Sequence, residues 1–392
     1  MAELRKALFL LLILCFVVAI SKTGMVKADL KPIVVPDDYA TIQEAVDNAP
    51  EGGTVFVRSG SYSERVIVNK PLSLIGEDPE TTDISIWIFG RSYGAIEVLA
   101  EDVTISGFTI KDTMSGIVIK GGVSPPSRCK IIGNNIVNNS RWGIFCTSLV
   151  EQENHIISGN NISGNGDGMY VNGPNSVISG NNITGNRLRG VLTDSGRNIT
   201  FSGNNISNNG AALDIGGDGP IYVYGNNITD NDGHGVQFDD CSNATVYQNN
   251  IIRNGVGINL NNYGAFEEQP SLGFGNIVYQ NNVVNNSVQV IVDHVYEMAT
   301  VWSEHEFING TDTVAWDNGI EGNYWSDYTG TGMYVIDENN TDHYPLTNPV
   351  TISVTPPPIH DSFSDSMLAI VASVAAAVVV LVVAFTVYKT RK

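Results

Sequence analysis

Between residues 102 and 300, apolar and polar side chains alternate in short stretches, and each stretch returns after roughly 22 residues. The returns are marked by one phrase, Gly-Asn-Asn-Ile, at 133–136, 159–162, 180–183, 203–206 and 225–228, with altered copies at 248–251 and 280–283. About ten residues after each Gly stands a small residue followed by an apolar one: Gly143-Ile144, Gly168-Met169, Gly190-Val191, Ala212-Leu213, Gly235-Val236 and Gly257-Ile258. Counted from the small residue, the +1 column (Ile144, Met169, Val191, Leu213, Val236, Ile258) and the +3 column are mainly apolar. The +2 and +4 positions are mostly polar, which is a strand with one buried face. A second apolar column lies two residues before the phrase (Ile131, Ile157, Ile178, Phe201, Val223, Val246, Val278), and a third is the Ile of the phrase itself. Three short strands per repeat leave no room for a helical crossover, which parallel pairing of neighbouring strands would otherwise need. The coils therefore stack as an all-β parallel β-helix, one rung about 4.8 Å above the next. Asn suits such a stack because it tolerates left-handed backbone at bends and can bond from rung to rung; at least one Asn of each pair is read as a ladder.

Ahead of the repeats, residues 41–49 predict a short capping helix. Thr41 is its N-cap, Glu44 completes a capping box, and Ile42, Ala45, Val46 and Ala49 form one apolar stripe. Strands are expected at 54–57, 66–68, 72–74, 84–88, 96–99 and 103–110. Residues 295–311 leave the repeat and, with the aromatic stretch 316–328, are expected to cover the far end.

The phrase resembles the repeats of the pectin-lyase-like superfamily, and NosD-type proteins in particular, which implies a right-handed, single-stranded parallel β-helix. Val35-Pro36, the run Tyr39-Ala40-Thr41-Ile42-Gln43-Glu44-Ala45-Val46, Gly53-Thr54-Val55-Phe56-Val57 and Gly60-Ser61-Tyr62 resemble the superfamily's N-terminal cap. Gly322-Asn323-Tyr324-Trp325-Ser326-Asp327-Tyr328 with Asp342-His343-Tyr344-Pro345-Leu346 resembles the NosD-type C-terminal signature. The resemblance spans roughly residues 35–346.

The flanks read differently. Residues 1–28 carry Arg5, Lys6, an apolar core at 7–20 and Val26-Lys27-Ala28, the pattern of a signal peptide. Residues 29–101 hold the cap and first coils, 102–300 the repeats and 301–346 the C-terminal cap. Residues 347–366 form a Pro/Ser/Thr stalk. Residues 367–388 are an uncharged apolar run long enough for a transmembrane helix, and the basic tail 389–392 places that end in the cytoplasm. The expected topology is an outward-facing body on a single C-terminal anchor.

Net charge is −20, from 41 acidic and 21 basic residues, which argues against nucleic acid as a partner. Cys129, Cys146 and Cys241 remain after the signal. A Cys129–Cys146 disulfide and a buried free Cys146 are both open readings.

The leading constellation is Asp194, Asp214 and Asp239, at +4, +2 and +4 on three successive rungs and expected to point outward, with backbones about 8 Å apart. Carboxylates so spaced divide into general acid and base, or hold Ca²⁺ jointly; they also simply keep a long sheet soluble. Arg187 and Arg189 could meet an acidic sugar, and Tyr170 and Gln237 offer stacking and a hydrogen bond. Asp232-Gly233-His234-Gly235 with Asp239-Asp240 echoes polygalacturonase motifs in reversed order, which makes His234 a further catalytic candidate. Copper is implied only by the NosD resemblance; the six His are scattered and Met is sparse, so no metal site is read. Of the Asn-x-Ser/Thr sequons, those in the phrase (Asn161, Asn182, Asn205, Asn227) are assigned to the fold, and Asn198, Asn243, Asn309 and Asn339 to glycosylation. The expected function is a cell-surface module, non-catalytic, binding glycan or building an envelope of polysaccharide or glycoprotein. The alternatives are a carbohydrate-active lyase, hydrolase or epimerase on the Asp face, and a NosD-like accessory factor for a metalloenzyme.

Overall fold

The computed structural model describes residues 31–86, 94–120, 126–147, 153–261, 275–293 and 314–352, apart from the side chains of Asp240, Asn261 and Asp293. The chain divides into two units, 1–352 and 353–392, and all described residues lie in the first. The signal at 1–28, residues 295–311 and the apolar run at 367–388 lie outside the described residues. Among the described residues no helix is long and apolar enough to cross a membrane.

Each turn of the chain visits three parallel sheets in the order A, B, C. Sheet A has 12 strands, from Ile33–Val35 to Val314–Ala315; sheet B has 11, from Gly60–Tyr62 to Tyr324–Trp325; sheet C has 10, from Val66–Val68 to Val288–Asp293. The three apolar columns become three stacked ladders. Ile131, Ile157, Ile178, Phe201, Val223, Val246 and Val278 pair along sheet A. Ile136, Ile162, Ile183, Ile206, Ile228, Ile251 and Val283 pair along sheet B. Ile144, Met169, Val191, Leu213, Val236 and Ile258 pair along sheet C. All of these side chains are fully buried in one core. The stretch 103–110, expected as one strand, is two. Thr104–Ser106 belongs to sheet A and Thr109–Lys111 to sheet B, because Gly107 turns the chain with φ 77°.

Two kinds of glycine serve two needs. Gly133, Gly159, Gly180, Gly203 and Gly225 hold φ between 62° and 65°, and Gln248 and Gln280 keep the same bend at 51° and 53°. A side chain at Gly133 would meet nothing, so there backbone freedom is what is used. At Gly168 the constraint is space: a Cβ would lie 2.4 Å from the Gly190 carbonyl oxygen of the next rung.

The asparagines divide likewise. The first Asn of each phrase is buried and forms the ladder. Asn204 donates its backbone N–H (2.9 Å) and Nδ2 (2.9 Å) to Asn226 Oδ1, while Nδ2 also donates to the Ile178 carbonyl at 3.0 Å. The same pattern links Asn134, Asn160, Asn181, Asn204, Asn226, Asn249 and Asn281, and ends on Asn323 of the C-terminal signature. A second buried ladder, not anticipated, runs through Asn139, Asn165, Asn186, Asn209, Asn231, Asn254 and Asn286 at the bend between sheets B and C. The second Asn of the phrase instead faces outward on sheet B. Asn182 and Asn227 are exposed, and their amides link in a surface row with Asn161 and Asn205. Its sequons are therefore not withheld by burial.

The predicted helix is Ile42–Asn48, with Thr41 Oγ1 accepting from Glu44 N–H at 3.1 Å and Ile42, Ala45 and Val46 buried against the first strands. Glu64 accepts the N–H groups of Ile42 and Gln43, both at 2.9 Å, placing a carboxylate at the helix N-terminus. At the other end, Trp316 and Trp325 are buried, and Asp342 accepts from Trp325 Nε1 (2.9 Å), Asn323 N–H (2.7 Å) and Tyr344 N–H (3.0 Å). The three cysteines are free and buried, so the disulfide reading does not hold. Burial pushes the Cys129 and Cys241 thiols up to about 12 and Cys146 well above its usual value.

Candidate functional site

The outer face of sheet C gathers the candidate chemistry. Strand pairing puts the residue before each small residue on that face, together with +2 and +4. Asp167, Arg189, Asp214 and His234 lie on four consecutive rungs. Arg189 Nε donates to Asp167 Oδ1 at 2.9 Å, and its Nη1 lies 3.7 Å from Asp214 Oδ2. His234 Nε2 bonds the other oxygen of Asp214. The four side chains form one row along the helix axis, carboxylate and nitrogen partner in turn. Asp214 is only 5% exposed, so it does not stand free in solvent as expected; Arg189 and His234 cover it.

Asp239 is half-buried beside the row. Burial first, then the charges of Asp214 and Asp194, hold its carboxyl above the usual carboxylate range. Asp194 is exposed, accepts from the Tyr170 hydroxyl at 2.8 Å and from Ser195 Oγ at 3.1 Å, and also meets Asn172. Gln237 accepts from Asn259 Nδ2 at 3.0 Å. Arg187 does not join the carboxylates; its Nη2 lies on the Ser140 carbonyl at 3.4 Å.

Next to the charged row is an aromatic ridge that the sequence reading left out. Phe145 and Tyr170 stack with centroids 5.0 Å apart, and Trp142 leans on both at 5.6 and 5.4 Å. Burial, then the bond to Asp194, pushes the Tyr170 phenol up. Trp142 is 8% exposed, and its indole N–H has no protein partner; nor does Asn259 Oδ1. Further toward the N-terminus the same face holds buried Glu97 between Arg65 (2.5 Å) and Lys120 (3.0 Å). Trp142 and Asp167 stand in the column just before the small residue. Its charge and aromaticity were the signal available in the sequence.

Among the described residues, one group of three His, Cys, Asp or Glu side chains brings its ligand atoms within 4.8 Å of one another: Cys146, Glu153 and His155, all buried. Asp194, Asp214 and Asp239 do not form such a group. His155 Nδ1 accepts the Cys129 N–H at 3.2 Å, so a neutral ring carries its proton on Nε2, which faces Glu153 Oε2 at 3.0 Å. A metal at Nε2 would need that proton removed, and the cluster as built closes on itself as a hydrogen-bond network.

A family model described as a right-handed β-helix region matches residues 149–299. A cell surface glycoprotein of Methanothermus fervidus is 29% identical over 138 residues, 34% of this chain and 21% of that protein, so the match spans about a fifth of the relative's length. Among solved structures, pectate lyase Pel9A is similar with TM-score 0.45 and 12% identity, covering 68% of this chain and 77% of that one. The mannuronan C-5 epimerase AlgE4 A-module of Azotobacter vinelandii gives 0.42 and 18%, covering 68% and 96%. A Geobacillus virus E2 protein, ORF18, gives 0.43 and 15%, covering 67% and 62%. Three parallel ladders to a turn, with residues 149–299 matching the right-handed β-helix region, make this chain a parallel β-helix protein.

Proposed function

We propose that this protein is a cell-surface β-helix that binds glycan along the outer face of sheet C. The observation that carries the reading is the aromatic ridge Trp142–Phe145–Tyr170 set directly beside the ordered row Asp167–Arg189–Asp214–His234. Sugars are recognised by apolar C–H surface against aromatic rings and by hydroxyls on fixed polar groups, and this face offers both side by side. The surface glycoprotein relative supports the location, as do the signal pattern at 1–28 and the apolar run at 367–388. In this reading the helix Ile42–Asn48 closes one end of the solenoid against strand addition, and the aromatic C-terminal segment closes the other. Asn198, Asn243 and Asn339 are exposed and open to glycosylation, as are Asn182 and Asn227 of the outer row; Asn309 lies outside the described residues.

A second reading is favoured by one observation, the bonded Asp214–His234 pair beside the raised carboxyl of Asp239. Such a pair can share acid and base roles in polysaccharide lysis, hydrolysis or epimerisation. The NosD-type signature at 322–346 keeps an accessory role toward a metalloenzyme as a third. A glycan array probed with the full chain, read for both retention and product release, separates them. Retention without product supports the binding role, product release supports catalysis, and neither removes the glycan from the account.

A further inference from the structure

Resting on the glycan-binding reading, we infer that the sheet C face takes uncharged sugar polymers, of hexose or N-acetylhexosamine, and rejects polyuronates. Four carboxylates stand on the central rungs, Asp167, Asp194, Asp214 and Asp239, and the guanidinium among them, Arg189, is already bridged by Asp167 at 2.9 Å and Asp214 at 3.7 Å. Among the described residues, an incoming uronate carboxylate would find Arg189 and His234 already bonded to carboxylates of the row. Asp239 reports the sign of the local field: burial and the neighbouring Asp214 and Asp194 charges already disfavour its anion. A second anion brought to the same place meets the same penalty. Arg141 and Arg187 lie at the aromatic end instead, Arg141 5.7 Å over the Trp142 ring and Arg187 on the Ser140 carbonyl. Calcium could in principle bridge carboxylates on both sides, but Asp194, Asp214 and Asp239 do not converge as one ligand set.

The face instead holds neutral recognition groups. Trp142 is more than nine-tenths buried, and among the described residues its indole N–H and Asn259 Oδ1 meet no partner. Both atoms are closed to solvent, so a sugar hydroxyl or acetamido oxygen reaches the indole N–H only as neighbouring side chains shift, and it then satisfies a costly unmade donor without bringing charge.

The test compares neutral β-glucan and chitin oligomers with polygalacturonate and alginate, all against the full chain, at low and high salt, with calcium and with chelator. The expected result is neutral binding that is insensitive to salt and calcium, with polyuronates at least about tenfold weaker and improving as salt screens the repulsion. Trp142→Phe keeps an aromatic ring, though a smaller one, and removes the N–H; it should weaken neutral binding at least about fivefold, the worth of one hydrogen bond. Asp194→Asn with Asp239→Asn should narrow the gap by improving polyuronate binding. Polyuronates bound more tightly than neutral polymers, with or without calcium, would overturn the selectivity and leave the glycan-binding reading standing. Binding of neither class by folded protein would overturn both.

Discussion

Asn204 and Asn205 are adjacent in the chain and do different work. Asn204 is 1% exposed and ties two rungs together, whereas the Asn205 side chain lies on the outer face and bonds its neighbours in the row and Ser207 Oγ. Asn204→Ala should cost about 3 kcal/mol or more, because it strands buried groups on Asn181 and at the Ile178 carbonyl; Asn205→Ala should cost less than about 1 kcal/mol. Chemical denaturation of both variants checks this, and equal costs would remove the ladder from the account of stability. The sequence shows that Asn is needed but not which of the two, since both columns hold the same residue. The left-handed Gly before the pair decides, by turning the first side chain inward. The second ladder was readable: an Asn stands five residues after the first in every copy from Asn134 to Asn281. The glycosylation argument changes for the same reason. Asn182 and Asn227 are exposed, so intact-peptide mass spectrometry of glycosylated protein should find them modified, and both bare beside a modified Asn198 would contradict this.

At the scale of the element, sheet C differs from A and B in length and in cargo. Its strands reach eight residues at His234–Cys241, while those of sheet B have three or fewer, so sheet C alone has room for three outward columns. Its inward columns were legible from alternation, because burial imposes one chemistry. The outward columns were legible only in part. Alternation places Asp214 outward but is silent on its cover, since Arg189 and His234 come from rungs above and below, 25 and 20 residues away in sequence. Asp239 offers a test of whether this face costs stability. Its carboxyl is held above the usual range, so its contribution to stability is fully present below the unfolded value near 3.8 and is lost as pH rises through the folded one. Asp239→Asn should therefore melt higher than the native protein at neutral pH, with the difference closing in acid. A variant that melts lower at neutral pH would show that the anion is stabilised there.

Over the whole molecule, the solenoid stacks its turns through one continuous core, and each turn depends on its neighbours. Its architecture is the most legible feature of the sequence, because a repeated unit states its own periodicity many times over. Its placement is argued from composition at the two ends: the pattern at 1–28 and the apolar run at 367–388 predict an outward body on one anchor. Protease added to intact cells should then release the body and leave a small membrane-bound fragment, and a body protected until lysis would reverse that topology. The central claim, glycan on the outer face of sheet C, is tested most directly by hydroxyl-radical footprinting with and without a bound neutral glycan. Phe145 and Tyr170 should lose reactivity on binding, while Tyr222 on sheet A and Tyr344 near the C-terminal signature stay unchanged. Protection of Tyr222 or Tyr344 with Phe145 and Tyr170 unaltered would contradict it.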